Sequence, residues 1–402
     1  MTRRWSGAGV PLKLALGAAL LVAAAACAGA GNPTTSPATT AGPPEPWAGT
    51  LEGFYVVPDP LPEGQPGELI RVMPVSSNDA ETTVRVMYHS RDSQGADRAV
   101  TGIITHPDGD APDEGWPVVS WAHGTTGLAA PCAPSRAGHS APDFGVEAVR
   151  VATDYIGLGP EGERHSYLVG SSEAHSVIDI VRAARNLPDA HAGTRWVAVG
   201  HSQGGHSALF TNQLGQNYAP ELEHLGTASL APAAMFEERY GPDDTIVPHM
   251  VGAMAAYGIA AEYPGLDVGD YISDQVDAAD EVIDTGCLDD IVAALAGIPI
   301  DQFWETDPYT TEPAISIIRE NDPGKVAAEA PLLLAYGDID TWVVPARVEA
   351  LFDRLCSVGQ VTELAEIPET GHEISPAMRD AVARFLAERL EGAPPTDSCA
   401  GA

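Results

Sequence analysis

The chain has 402 residues, 44% of them apolar, and a formal net charge of −35. That excess of carboxylates excludes nucleic acid as a partner, since phosphate recognition needs a basic surface, and it sets anionic membranes against the folded part. Of the five cysteines, the four beyond Cys27 have spacings that match no zinc pattern, and their even number fits an oxidising compartment.

Residues 1–26 read as an export signal. Arg3, Arg4 and Lys13 give the positive end, and residues 14–26 form an apolar run too short to span a bilayer. Ala24-Ala25-Ala26-Cys27 is similar to a bacterial lipobox, in which the cysteine becomes the lipidated first residue, although Ala24 stands where that pattern prefers leucine. An ordinary A-x-A cleavage site is the alternative. Residues 27–46 are mostly Gly, Pro, Ser, Thr and Ala, a composition that cannot bury a core and acts as a tether. With Cys27 lipidated, that tether anchors the protein to a membrane.

Strand and helix signals then alternate. Residues 84–89 and 99–104 flank a polar turn containing glycine and predict an antiparallel hairpin. Apolar runs at 118–122 and 149–153 follow, with a helix over 174–186, a strand at 196–199, a helix after it and a strand at 228–230. Strands at 331–336 and 362–367 with helices over 345–355 and 375–390 complete the chain. This succession predicts an α/β fold, a mostly parallel sheet with helices on both faces. The alternation breaks over 231–330, a stretch too long for a loop and mostly helical in pattern, including 247–261 and 291–300. The expected organisation is therefore a core in two parts, 47–230 and 331–402, with a helical cap inserted over 231–330. The acidic residues of 267–290 lack the ligand periodicity of a calcium loop and read as a solvated surface.

Gly200-His201-Ser202-Gln203-Gly204 sits where the strand at 196–199 meets the next helix. With 41 glycines in the chain, chance alone gives about 0.2 matches to G-x-S-x-G, so the flanking strand and helix carry the argument. Such a turn holds a serine in a strained conformation with its hydroxyl exposed, and side chains at 200 or 204 would collide with the neighbouring strand or helix. An ordinary helix N-cap is the other reading of Ser202. Gly138-His139-Ser140-Ala141-Pro142 is a decoy, lacking the second glycine and ending in a helix breaker.

A nucleophilic serine needs a base, and the base needs an orienting carboxylate. His372, the only histidine beyond residue 249, lies between the strand at 362–367 and the last helix, where this fold class places its base. The strand at 332–336 runs into Gly337-Asp338-Ile339-Asp340-Thr341-Trp342-Val343-Val344-Pro345. Spacing from the glycine and the Val-Pro pair selects Asp340, with Asp338 as competitor on the same turn. Val247, Met250, Val251 and Met254 recur at helical spacing as one apolar face. That face serves either as core or as the wall of an acyl channel.

From residue 46 to the end the chain resembles the secretory lipase family of α/β-hydrolases. The matching stretches are Ser120-Trp121-Ala122-His123-Gly124-Thr125-Thr126-Gly127, Pro131-Cys132-Ala133-Pro134-Ser135, Ala152-Thr153-Asp154-Tyr155-Ile156-Gly157-Leu158-Gly159, the Ser202 elbow and the Asp340 and His372 turns. The resemblance implies hydrolysis of small-molecule or lipid carboxylic esters through an acyl-enzyme on Ser202, with His372 as base and Asp340 as its orienter. No His/Asp cluster in the sequence suggests a metal site, and no cofactor is expected. The resemblance implies oxyanion donors at the N–H of Gln203 and at the aspartate that Asp154 resembles. The residues alone nominate the Gly124-Thr125 turn for that second donor. It also implies disulfides joining Cys132 to Cys287 and Cys356 to Cys399. An acyltransferase or peptidase with the same triad, and a non-catalytic surface binding protein on this scaffold, are the alternatives.

Overall fold

A nine-stranded sheet carries the structure, a computed structural model that describes residues 46–237 and 246–401. The expected signal 1–26, Cys27 and residues 27–45 of the tether lie outside the described residues. A short helix α1 (Leu51–Phe54) precedes the strands β1 (Leu69–Ser77), β2 (Glu81–Arg91) and β3 (Asp97–Pro107). After β4 (Trp116–Ala122) and β5 (Val149–Thr153) come α2 (Gly170–Arg185), β6 (Ala192–His201), α3 (Gln203–Tyr218) and β7 (Glu223–Leu230). Between β7 and β8 (Leu332–Gly337) the chain carries α4 (Ile246–Ala260), α5 (Asp274–Asp277), α6 (Asp280–Thr285), α7 (Leu288–Leu295) and α8 (Ala314–Glu320). The elements α9 (Pro345–Ser357), β9 (Thr362–Ile367) and α10 (Pro376–Leu390) follow. The strand order is β1-β2-β3-β5-β4-β6-β7-β8-β9, antiparallel from β1 to β5 and parallel from β5 to β9.

Alternation along β6 explains why helices cover both faces. Trp196 and Ala198 pack into one core with Val177 and Val181 of α2, whereas Val197 and Val199 pack into another with Val382 and Phe385 of α10. A strand buried on both sides reads as a continuous apolar run, and all four residues are fully buried. Each such valine contributes about 2 kcal/mol of burial. On the α2 face, α3 and α9 meet β8 through Leu209, Leu332, Leu334 and Leu351. The last helix begins at Pro376, capped by the Ser375 hydroxyl accepting from the Met378 N–H, as Ser-Pro predicts.

Two elements differ from the expectation. β1 was not anticipated, because Pro74 interrupts its pattern; at the edge of a sheet proline is tolerated, and the register with β2 shifts there between Pro74 and Ser76. Helix α2 starts at Gly170, four residues before the predicted start at 174. Gly-Ser-Ser is a poor helix former, but Asn321 Oδ1 accepts the Gly170 N–H at 2.9 Å and the Ser172 hydroxyl donates to Glu262 at 2.6 Å. Tertiary bonds override the propensity.

Both disulfides form in the pairing that the resemblance implies, Cys132 with Cys287 and Cys356 with Cys399. The first joins the loop after β4 to the N-terminus of α7, beside a bridge between Gly127 and Cys287 and a bond from the Leu288 N–H to Thr126 O. The second ties the C-terminal tail to α9, along the edge strand β9.

Candidate active site

The turn from β6 to α3 is possible only with glycine at two positions. A methyl on Gly200 would stand 1.9 Å from the Gly204 carbonyl oxygen, and one on Gly204 would stand 1.9 Å from that of Ala122 in β4. The helix start is thus pressed against two strands, and Ser202 is forced to φ 58°, ψ −116°. Such a conformation costs a non-glycine residue about 1–3 kcal/mol and persists only where the surroundings impose it. Here the Ser202 N–H is held by Leu230 O at 2.9 Å. Although Ser202 occupies the N-cap position of α3, its side chain makes no cap bond. Its hydroxyl turns to a histidine instead.

His372 Nε2 lies 2.9 Å from Ser202 Oγ, and Nδ1 lies 2.7 Å from Asp340 Oδ2. The turn after β8 shapes the carboxylate: Asp340 Oδ1 accepts the N–H groups of Trp342 at 2.7 Å and Val343 at 3.0 Å, leaving Oδ2 for the imidazole. Asp340 is 3% exposed. Its competitor Asp338 accepts the Thr370 N–H at 3.3 Å and ties the two turns together. The three side chains expected from the sequence therefore come together, and it is Asp340 rather than Asp338 that meets the imidazole.

Two aromatic neighbours of the base were not singled out in the sequence. Trp342 stacks on the His372 ring with centroids 5.7 Å apart and planes at 12°, and His201 lies on it at 4.8 Å and 46°. Burial, reinforced by the neighbouring His372, holds the His201 imidazole down at about 4. His201 is therefore neutral at pH 7 and adds no charge beside the base. Trp342 stands two residues after Asp340, which was the available signal.

Asp154 is a correction. Its backbone N–H donates to Thr101 O at 2.8 Å, so it has no free donor for an oxyanion. Its carboxylate, 1% exposed, accepts the Ser135 N–H at 2.9 Å, the Ser135 hydroxyl and the Thr101 hydroxyl at 2.6 Å. Burial raises its pKa and those bonds oppose the rise. Asp154 is a structural anchor for the loop around Ser135. The Gly124-Thr125 turn, by contrast, lies against the nucleophile: a methyl on Gly124 would stand 3.6 Å from Ser202 Cβ. Gly124, Thr125, Ser202 and His372 line one cavity.

That cavity measures about 740 Å³, within the range of small-molecule sites. Val247, Val251, Gly252, Ala255 and Ile259 of α4 form a long wall, joined by Trp304 and Ile317, which pack beside Ala255 and Ile259. The expected stripe divides here. Val247 and Val251 line the cavity, whereas Met250 and Met254, 4% and 1% exposed, pack with Ile283, Ile291 and Phe303 in the core of the inserted segment. The methionines are therefore core, and the valines are wall.

The mostly parallel sheet, the strained serine between β6 and α3, and the histidine and carboxylate on the turns after β9 and β8 define an α/β-hydrolase. The profile described as secretory lipase matches residues 145–398. The chain belongs to that family and is a carboxylic ester hydrolase. Comparison with curated protein sequences gives no match. Among solved structures, the lipase A of Candida antarctica in its closed state is 14% identical, with a TM-score of 0.71 over 87% of this chain and 87% of that chain. The rice cell wall degrading esterase LipA from Xanthomonas oryzae is 18% identical, with a TM-score of 0.65 over 81% of this chain and 96% of that chain. A putative hydrolase from Legionella pneumophila is 17% identical, with a TM-score of 0.60 over 78% and 90%. At these identities the likeness speaks for the fold.

Proposed function

We propose that this chain is an exported serine lipase or esterase that acts through an acyl-enzyme on Ser202. The observation that carries the reading is the hydrogen-bonded sequence Ser202–His372–Asp340 opening into a large cavity walled by apolar side chains. Ser202 Oγ attacks the ester carbonyl carbon while His372 Nε2 takes its proton, and Asp340 holds the Nδ1–H tautomer that leaves Nε2 basic. The carbonyl oxygen becomes the oxyanion and is met by the N–H of Gln203, at the positive end of α3, and by the N–H of Thr125. Collapse breaks the bond to the leaving oxygen, which takes the proton from His372 Nε2 and departs as the alcohol. A water activated by the same imidazole then releases the carboxylic acid. The inserted segment, through α4 and α8, serves as the cap that holds the acyl chain.

Turnover of p-nitrophenyl esters from acetate to palmitate by wild type and Ser202→Ala tests the reading. Ser202→Ala is expected to keep its melting temperature and to lose about 10⁴-fold or more in kcat; wild-type turnover in that variant ends the serine mechanism. Adding an alcohol or amine acceptor and analysing products separates hydrolysis from acyl transfer. Membership of a secretory family and two disulfides support an extracellular location. Anchoring through Cys27 is tested in the full chain made in a bacterial host. Detergent-phase partition that Cys27→Ala abolishes supports the anchor, and equal partition of both forms indicates plain secretion.

A further inference from the structure

Behind the elbow lies a buried polar cluster that the acyl-transfer scheme leaves unused. Its centre is Glu173, in the first turn of α2 and 1% exposed. Carboxylate oxygen Oε1 accepts the Leu168 N–H at 3.0 Å and the Gln203 side-chain amide at 2.7 Å. Oε2 accepts the Ser207 hydroxyl at 2.5 Å and lies 3.1 Å from His206 Nδ1. Gln203, His206 and Ser207 occupy the start of α3, the helix that begins at the residue after the nucleophile. A carboxylate at this depth is retained only when its hydrogen bonds outweigh its desolvation. Burial pushes the Glu173 carboxyl up, but the bond and charge of His206, with the Ser207 hydroxyl, more than reverse this and hold it below the ordinary range.

The hydrogen bonds determine how Gln203 is held. His165 Nδ1 donates to Ile156 O at 2.8 Å, which leaves Nε2 as an acceptor 2.7 Å from Gln203 Nε2. Burial also keeps His165 neutral, at about 4. The amide therefore directs one N–H to His165 and the other to Glu173; the opposite orientation would set its oxygen against a carboxylate. On the far side, His206 Nε2 reaches Asn321 O at 2.9 Å, at the end of α8. The peptide between Ser202 and Gln203 leaves a residue at φ 58°, ψ −116° and has every reason to rotate toward an unstrained state. Rotation of that peptide would swing the Gln203 N–H away from the reacting carbonyl.

We propose that Glu173 is a positioning residue for acyl transfer, whose carboxylate clamps the Gln203 side chain and so fixes the backbone N–H that meets the oxyanion. This rests on the Ser202 mechanism above. Glu173→Gln keeps the size of the side chain but presents an NH₂ group to donors. It is expected to lower kcat by about tenfold or more, the scale on which small misplacements act, with KM for a soluble ester unchanged. A thionoester supplies the specific readout, because its larger sulfur reports on the fit of the oxyanion site: the ester-to-thionoester rate ratio should shrink. Gln203→Leu removes the clamped side chain, keeps the N–H, and leaves Glu173 with its other donors. It should reproduce both effects, and it carries the test alone if Glu173→Gln does not fold. Wild-type kcat in the folded variants, or equal losses on ester and thionoester, overturns the positioning role. An active Ser202→Ala overturns the serine mechanism itself, which keeps the two failures distinct.

Discussion

Asp340→Asn isolates the tautomer argument, because the substitution spares the turn that carries it. Oδ1 of the asparagine still accepts the N–H groups of Trp342 and Val343, now bonded at 2.7 and 3.0 Å. At the other position an NH₂ group replaces the oxygen that lies 2.7 Å from His372 Nδ1. Two N–H groups cannot face each other there, so Nδ1 must give up its hydrogen and Nε2 must carry it. Nε2, 2.9 Å from Ser202 Oγ, then has no lone pair for the serine proton. Loss of the base by this route is worth about 10⁴ in kcat, roughly 5.5 kcal/mol at 1.36 kcal/mol per decade. The melting temperature should stay close to that of wild type. Asp338→Asn keeps an acceptor for Thr370 and should retain wild-type kcat. Steady-state kinetics on p-nitrophenyl butyrate, with melting curves for both variants, makes the measurement. The reverse ranking would refute the assignment of the acid to Asp340.

The division of the α4 face makes a second pair of variants informative. Val251→Phe narrows the cavity, and excluding four methylenes at about 0.8 kcal/mol each would cost roughly 3 kcal/mol, or about 200-fold, on palmitate while sparing acetate. Met254→Ala should instead lower stability by about 2–5 kcal/mol with the chain-length profile intact; the opposite pattern in a chain-length series would place the methionine on the wall. Stability should also fall with acid. His165, His201 and His224 are each held at about 4 chiefly by burial, so between pH 6.5 and 4 the unfolded chain binds protons that the folded chain refuses. Folded stability is therefore full above pH 6.5 and drops by up to about 1.4 kcal/mol per pH unit for each histidine as pH falls through that window. His224→Gln should reduce the loss between pH 6.5 and 5 by about 2 kcal/mol; calorimetry showing the same loss in both proteins would refute the linkage.

The site was legible where chemistry restricts the backbone. Gly200 and Gly204 mark a turn that no side chain fits, and His372 is the only histidine late in the chain. Choosing Asp340 over Asp338 needed a spacing, and the structure supplies its cause in the N–H groups of Trp342 and Val343. Other features leave no local trace. An aspartate at the end of a strand reads the same whether it faces a site or, as Asp154 does, caps a neighbouring loop. Helix α4 is apolar around much of its circumference, so periodicity could not say which side met the cavity. Glu173 stands one residue before the predicted start of α2 and reads as an ordinary acidic residue at a helix N-terminus; only the packing of α2 on α3 buries it.

An open edge strand is a template on which a second molecule can add its own strand. At β9 the backbone N–H of Leu364 is taken by the Ser398 hydroxyl at 3.1 Å, and the bond between Cys356 and Cys399 holds that tail in place. Closing a loop with a sequence separation of 43 residues also limits the unfolded chain, by about 4 kcal/mol in the entropy model. Losing the bond therefore does more than loosen a terminus, since it frees the Leu364 N–H on the edge strand to pair between molecules. Removing this bond alone, as Cys399→Ser does, should harm a preparation through precipitation, with the molecules still dissolved working at their usual rate. The staple at the C-terminus guards shelf life more than speed.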